Sequence, residues 1–392
     1  MPSITFDLET VTPLFMAGAD QATAELRPPA FRGALRYWFR AIAASITTFD
    51  KVREWENKVF GNTDAGGAVI IRVQAQKAVS NCVLKRDDNF SGLVYLFFST
   101  YKDNRREARG CFPPGSHFKI ILQTRPITQD GTDCLNLAVC TLWMLVNLGG
   151  IGSRSNRGGG NLRAKKEPEN IGIYGLNFTT QSADINQLSS EINEGFQIVK
   201  QLYKKILKGG NHTLTPPTEF DILDLRTASI YLWQSQNAEE NDYWDNLLDS
   251  FGARYRNFRL RYNNATQEDY KEIKDWLSSS GKKPVTTVKR AAFGLPIIFR
   301  FRSLPGKQAT VSATGRINRI SSPLHIRVVA LSNQRCVILI SHFKTQLLPN
   351  NRQLLLKSKS VTKPLECLAP NQDIIGQEFI PSLGSLIKVI IP

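Results

Sequence analysis

The chain has little of what metal centres and acid–base catalysts are built from. Of 392 residues, 6 are cysteine, 4 are histidine and 3 are methionine. The cysteines stand at 82, 111, 134, 140, 336 and 367, and no two are spaced Cys-x-x-Cys. A structural zinc site is therefore not expected, nor any other metal or cofactor, and the thiols read as free in a reducing compartment. Histidines 117, 212, 325 and 342 stand apart from one another and beside no cysteine or aspartate. No nucleophile–base pair is legible, so no residue is assigned a catalytic role. The apolar runs fall short of the roughly 18 residues a membrane span needs. Met1–Glu9 lacks a basic region followed by an apolar core, so it does not read as a secretory signal. A cytoplasmic protein without a membrane partner is expected.

Acidic residues are scarce in the last third. Residues 1–250 hold 27 Lys+Arg and 27 Asp+Glu; residues 251–392 hold 23 and 7, which supplies the whole net charge of +16. A charge so concentrated points to a polyanion. Membrane binding fits less well, because the cations lie on several elements and not on one amphipathic helix.

Two constellations have the chemistry to meet phosphate. Residues 149–160 read Gly-Gly-Ile-Gly-Ser-Arg-Ser-Asn-Arg-Gly-Gly-Gly. Glycine lets a ligand approach the main chain, and Arg154 and Arg157 are planar cations suited to phosphate. Gly150, Gly152, Gly158, Gly159 and the nearby Arg163 belong to the same candidate. It is not a P-loop, since no Gly-Lys-Ser/Thr closes it. Arg32, Arg36 and Arg40 are spaced by four, which lines them on one helix face, with Gly33 beside Arg32 in the first turn. No Asp or Glu lies between Arg27 and Asp50 to neutralise them locally. The glycine-rich loop and this face are expected to form two walls of one RNA groove. Lys289, Arg290, Arg316 and Arg319, with Arg254, Arg256, Arg259 and Arg261, carry much of the C-terminal charge, and the first four are further candidate RNA contacts.

Along the chain, Ile4–Val11 alternates as a half-buried strand. A helix follows Pro28-Pro29, with Leu35, Trp38, Phe39, Ile42 and Ile46 at helical spacing. Strands are expected at 68–75, 93–99 and 117–123, a buried helix at 134–148 and a returning strand at 174–179. This is the order of a split βαβ unit. The middle reads as helical, at 186–207, 242–262 and 267–277. Strands resume at 297–302, 324–330 and 336–342, the last two as a hairpin, and 373–391 is mixed. The reading is α+β, with domains at 1–185 and 186–392 and a helical insertion over about 186–280.

Thr12–Asp20 and Glu25–Arg40, with Val59-Phe60-Gly61, the glycine-rich segment, Arg290–Pro296 and Ser321–Leu324, resemble the RAMP proteins of CRISPR systems. They are most similar to the first RAMP subunit of the type III-B (Cmr) effector complex. The resemblance implies two ferredoxin-like (RRM-like) domains and a non-catalytic subunit that binds CRISPR guide RNA near its 3′ portion, and possibly target RNA, beside other RAMP subunits in antiviral defence. Two alternatives remain at this point. One is a metal-independent endoribonuclease that processes CRISPR RNA, using His117 or His212; the other is a purely structural subunit.

Overall fold

The computed structural model describes residues 2–391 except 76–81, 105–106, 127–129, 170, 174, 211–213, 261–266, 316–318, 349–351 and 371–372. His212, Arg261 and Arg316 therefore lie outside the described residues. The first half runs β1 (Ser3–Thr10), α1 (Pro28–Ala43), α2 (Phe49–Phe60), β2 (Val69–Ala75), β3 (Cys82–Val83), α3 (Ser91–Leu96), β4 (Gly110–Cys111), β5 (His117–Thr124), α4 (Gly131–Leu148) and β6 (Leu162–Ala164). Next come α5 (Ile185–Leu207), β7 (Ala228–Trp233), α6 (Trp244–Leu260), α7 (Gln267–Ser278), β8 (Ile297–Arg300), β9 (Gln308–Ala313), β10 (Leu324–Ala330), β11 (Cys336–Phe343), β12 (Leu354–Ser358) and β13 (Val361–Cys367). Helical turns over Ile375–Ser382 precede β14 (Ile387–Val389).

The protein is α+β, built on antiparallel sheets. The first has the order β2-β5-β1-β6, and the second the order β10-β11-β7-β14. A third, β13-β12-β9-β8, forms where two excursions of the second half meet. In β1 the pleat sends Ile4, Phe6 and Leu8 into the core while Thr5 and Asp7 face out. In α1 the apolar stripe Phe31, Leu35, Trp38, Phe39 and Ile42 is buried, and Pro28 and Pro29 occupy the first turn, where the missing amides cost nothing. Helix α4 is apolar on all sides because it is packed on all sides, against α1, α2, α5 and the first sheet. It is long and apolar enough to cross a membrane, contrary to the sequence reading, yet it is the central core helix of the first half.

The second sheet lies between two helical layers. Val329, Leu331, Val337 and Leu339 face the core shared with α4 and α5; Ile326, Val328, Ile338 and Ile340 face the core built by α6. Burial on both faces erases the period-two signal and leaves short continuous apolar runs. This is why β7 is invisible in the sequence and its region reads as helical. Other differences have local causes. Residues 93–99 begin within α3, which is too short to show a helical period. The returning strand is β6, directly after the glycine-rich loop. Tyr174 is outside the described residues; residues 175–179 are coil, tied by Glu167 accepting from the Phe178 and Thr179 amides. Cys82 and Cys111 are joined as a disulfide across the β3–β4 ladder, which corrects the expectation of free thiols at these two positions. The remaining four cysteines are free and buried.

The glycine-rich loop is the joint between the halves. The Gly158 amide donates to the Ile326 carbonyl of β10 at 2.9 Å. Asn161, fully buried, accepts from the Val328 amide at 2.9 Å and donates to the Gly149 carbonyl at 3.3 Å. Arg327, 3% exposed, donates to the carbonyls of Gly149 and Leu162 at 2.5 and 2.6 Å. The glycines are required by close approach. At Gly160 (φ +62°) an added Cβ would lie 1.9 Å from the Ile151 carbonyl oxygen, and at Gly158 (φ +84°) 2.7 Å from Leu248. Asn161→Ala leaves the Val328 amide buried without a partner. It is expected to lower unfolding free energy by about 2–3 kcal/mol, read from urea titrations. A loss below a few tenths would contradict the role given to this side chain.

Candidate nucleic-acid interface

Arg32, Arg36 and Arg40 do share the outer face of α1, but a partner arrives from the next helix. Glu56 of α2, 5% exposed, receives Arg36 Nε at 2.5 Å and Arg40 Nη1 at 3.1 Å. Arg36 also donates to the Gly61 carbonyl at 2.8 Å. The absence of local acid in the sequence therefore did not mean an unpaired face, since Glu56 reaches it through the fold. Arg40 keeps 46% of its side chain exposed, and Arg32 and Gly33 are exposed. Arg36, Arg40 and Arg53 line an open cleft of about 740 Å³ with Asn57, Asn62 and Phe220.

This cleft continues across the seam between the two halves. Arg40 and Phe220 also line a second cavity of about 420 Å³, whose far wall holds Ile320, Ser321, Thr345 and Gln346. Those four residues in turn border a third cavity, about 520 Å³, with Lys344, Arg352, His342 and Asp373. The three share lining residues and together make one trough, with cations at both ends and the carboxylates Glu219 and Asp221 lining its middle. Nothing in the sequence marks Arg53, Phe220, Lys344 or Arg352, because they come from four separate segments; Arg319, exposed, precedes the trough residue Ile320.

The glycine-rich loop is not the opposite wall of this trough. It meets α1 at Trp38, where a Cβ on Gly149 would lie 2.5 Å from Nε1. Trp38 is on the side of the helix away from Arg36 and Arg40. Gly149, Gly158 and Gly159 are buried, and Gly150 and Gly152 are half-buried. Arg154 lies over the Phe98 ring at 4.2 Å; Arg157 donates to the Leu324 carbonyl at 2.8 Å and lies over Tyr255 at 5.2 Å. A few of the C-terminal cations are drawn inward, while most, among them Arg254, Arg300, Arg302 and Lys363, stay exposed. Arg290, 7% exposed, lies over Phe299 at 4.8 Å, and Arg259 lies over Tyr255 and Phe293, both at 5.3 Å. Lys289 pairs with Glu268 at 2.8 Å.

The outer face of the first sheet is polar and laced with ion pairs. Glu9, pulled below the usual carboxylate range, sits against Lys165 at 2.8 Å, Arg163 at 3.0 Å and His117 at 3.4 Å; burial alone would raise it, and the cations outweigh that. Asp7 pairs with Lys166 at 3.5 Å and Lys119 at 3.8 Å. Strand register puts Thr5, Ile121, Arg72 and Gln74 on the same face, with no Phe, Tyr or Trp among them. Bases thus find no aromatic stacking surface there.

The histidines that stand alone in the sequence acquire carboxylates in space, which corrects the reading that none is paired. His342 Nε2 is 3.2 Å from Asp373, and His325 Nε2 is 3.6 Å from Asp221, which itself accepts from Tyr37 at 2.6 Å. Among the described residues no three His, Cys, Asp or Glu side chains cluster as metal ligands.

Residues 7–163 match the model of the RAMP superfamily. The chain is 32% identical over 180 residues to the CRISPR system Cmr subunit Cmr1-2 of Pyrococcus furiosus, a match covering 41% of this chain and 94% of that protein. It is 29% identical over 203 residues to subunit Cmr1-1 of the same organism, covering 50% of this chain and 57% of that one. The crystal structure of Cmr1 from Pyrococcus furiosus in its apo form superposes with a TM-score of 0.61 at 21% identity, over 99% of both chains. The chain belongs to the RAMP superfamily and, within it, to the Cmr1-like subunits of type III-B Cmr complexes.

His325 gives a test of the seam. Burial, helped by the nearby Arg157, holds its imidazole down to about 3. The folded state therefore keeps it neutral while the unfolded chain protonates it near pH 6.5, so stability present above pH 6.5 is lost as pH falls toward 3. Asp221, raised mainly by burial, titrates in the opposite sense and moderates the loss. Between pH 7 and pH 4.5 the wild type is expected to lose about 2 kcal/mol more than His325→Phe in paired denaturant titrations. Equal losses would show that His325 is not held neutral.

Proposed function

We propose that this chain is a non-catalytic RNA-binding subunit of a type III-B CRISPR ribonucleoprotein, working in the cytoplasm in antiviral defence. It holds the guide RNA at its 3′ portion, the target RNA, or both, beside other RAMP subunits. The observation that carries this is the continuous trough across the seam, with Arg36, Arg40 and Arg53 at one end and Lys344 and Arg352 at the other. Cations at the two ends of a groove grip a backbone without reading sequence, the task left to protein when a guide does the pairing. Of the expected contact residues, Arg32, Gly33, Arg40 and Arg319 are exposed and suited to phosphate, while Arg36 steadies Arg40 through Glu56. The glycine-rich loop supports the trough by fixing the two halves together. We further read the halves, 1–185 and 186–392, as two ferredoxin-like domains; the span read from the sequence as a helical insertion, about 186–280, holds the first strand and first helix of the second one, β7 and α6. Both sheets support this, since each is threaded strand-helix-strand-strand-helix-strand in the spatial order 2-3-1-4.

Arg40→Ala combined with Arg53→Ala is the direct test; Arg36 is spared because its loss would leave Glu56 under-paired. Single-stranded RNA affinity is expected to fall about tenfold at moderate salt. The slope of log K against log salt should become shallower by about 1.4, the value for two phosphate contacts on a single strand. Unchanged affinity and slope would remove the trough as the RNA site.

A further inference from the structure

We infer that the trough stacks one unpaired RNA base on the half-exposed ring of Phe49, backed by Phe220, while the phosphates of that strand lie at Arg40 and Arg53. The inference rests on the RNA-holding reading and names what one end of that site does with a base. Phe49 opens α2 and is 49% exposed. A phenylalanine exposed on its own is ordinary. This one is paired: its ring centroid lies 5.2 Å from that of Phe220, and both residues line the first cavity. The two ring planes are inclined by 54°, so the pair is not a closed face-to-face stack.

The charges on either side of the pair decide which part of a nucleotide fits there. The first cavity sets Arg36, Arg40 and Arg53 against Glu56 and Asp64 and is net positive by formal charge. The second sets Arg40 against Glu219 and Asp221 and is net negative. Phe220 lines both, so it stands where the sign changes. A phosphate beyond it would meet two carboxylates, and like charges repel. A base carries no charge, and its face leaves water favourably against an aromatic ring. Phe49, Arg53 and Asn57 follow at intervals of four along α2, which sets ring, guanidinium and amide in one row on the cleft. The backbone is thus held at Arg40 and Arg53 and the base is turned onto the rings. The residues flanking the Phe220 ring are fixed: Thr218 Oγ1 donates to the Phe220 carbonyl at 2.9 Å, and the Tyr37 hydroxyl donates to Asp221 at 2.6 Å. A preset platform loses little freedom on binding. A duplex covers the faces of its bases with their neighbours, so the strand that stacks here is single. Every base has such a face, and the site therefore makes no choice among them.

The test uses the full chain and fluorescence anisotropy, with a uridine dodecamer and a dodecamer of the same ribose–phosphate backbone without bases. The two carry equal numbers of phosphates, so the electrostatic grip cancels in their ratio. The wild type is expected to bind the uridine strand about tenfold tighter, the effect of one stacked base. Phe49→Leu keeps an apolar contact with Phe220 and removes the ring. It should bring the ratio to about one and leave the slope of log K against log salt unchanged, while Phe49→Trp should retain the preference. Annealing the uridine strand to its complement should abolish the difference between wild type and Phe49→Leu. A ratio of about one in the wild type, or a preference that survives Phe49→Leu, overturns the stacking. So does a Phe49→Leu loss that is equal for both strands, which marks a purely structural ring. Arg40→Ala with Arg53→Ala separates the two readings. If it weakens both strands while Phe49→Leu does nothing, the trough still holds RNA and only the stacking falls; if it changes neither strand, the RNA-holding reading of the trough falls with it.

Discussion

Two buried side chains hold the two halves of this protein in register. Asn161 and Arg327 sit where the glycine-rich loop crosses onto β10, and each bonds main-chain atoms on both sides of the seam or of the loop. Every other feature of the trough presupposes that contact, because its walls come from α1 and α2 on one side and from residues 320–352 on the other. A guanidinium without a carboxylate is costly to bury, and its charge is here met by carbonyl dipoles alone. That cost is tolerable only where the carbonyls are brought within reach, which is what the glycines allow. Such an arrangement fixes one relative placement of the halves more sharply than apolar packing would.

The same joint explains how a strongly basic chain uses its charge. Arg157, Arg259, Arg290 and Arg327 are spent inside, on carbonyls and aromatic rings. On the first sheet's outer face Asp7 and Glu9 each pair with two cations, which leaves that face net positive. Most other cations of the second half, among them Arg300, Arg302, Lys357, Lys359 and Lys363, remain exposed, so the surface open to a polyanion extends beyond α1, α2 and the seam.

The sequence disclosed elements with a clean period or a long apolar run and concealed those with neither. Helices α1 and α5 and strands β1 and β5 were legible from spacing, since each has one wet face, while α4, β10 and β11 were legible as largely apolar runs. Strand β7 was not, because both its faces are buried and six residues cannot show a helical or a strand period. The arginine face of α1 was legible, but Glu56 was not, since it sits one helix later and reaches back only once the chain has turned. Likewise the glycine-rich loop stood out by composition, and composition alone could not distinguish a loop that cradles phosphate from one that lets two backbones touch. The trough itself was beyond reach, being an encounter of segments near residues 40, 53, 220, 320 and 345.

Ultraviolet crosslinking of the full chain to single-stranded RNA, read by peptide mass spectrometry, tests the central claim directly. The account predicts crosslinks along the seam, in peptides holding Arg40 and Arg53, Phe220, and residues 320–348. Crosslinks confined to the outer face of the first sheet, around Arg72 and Lys119, would contradict it.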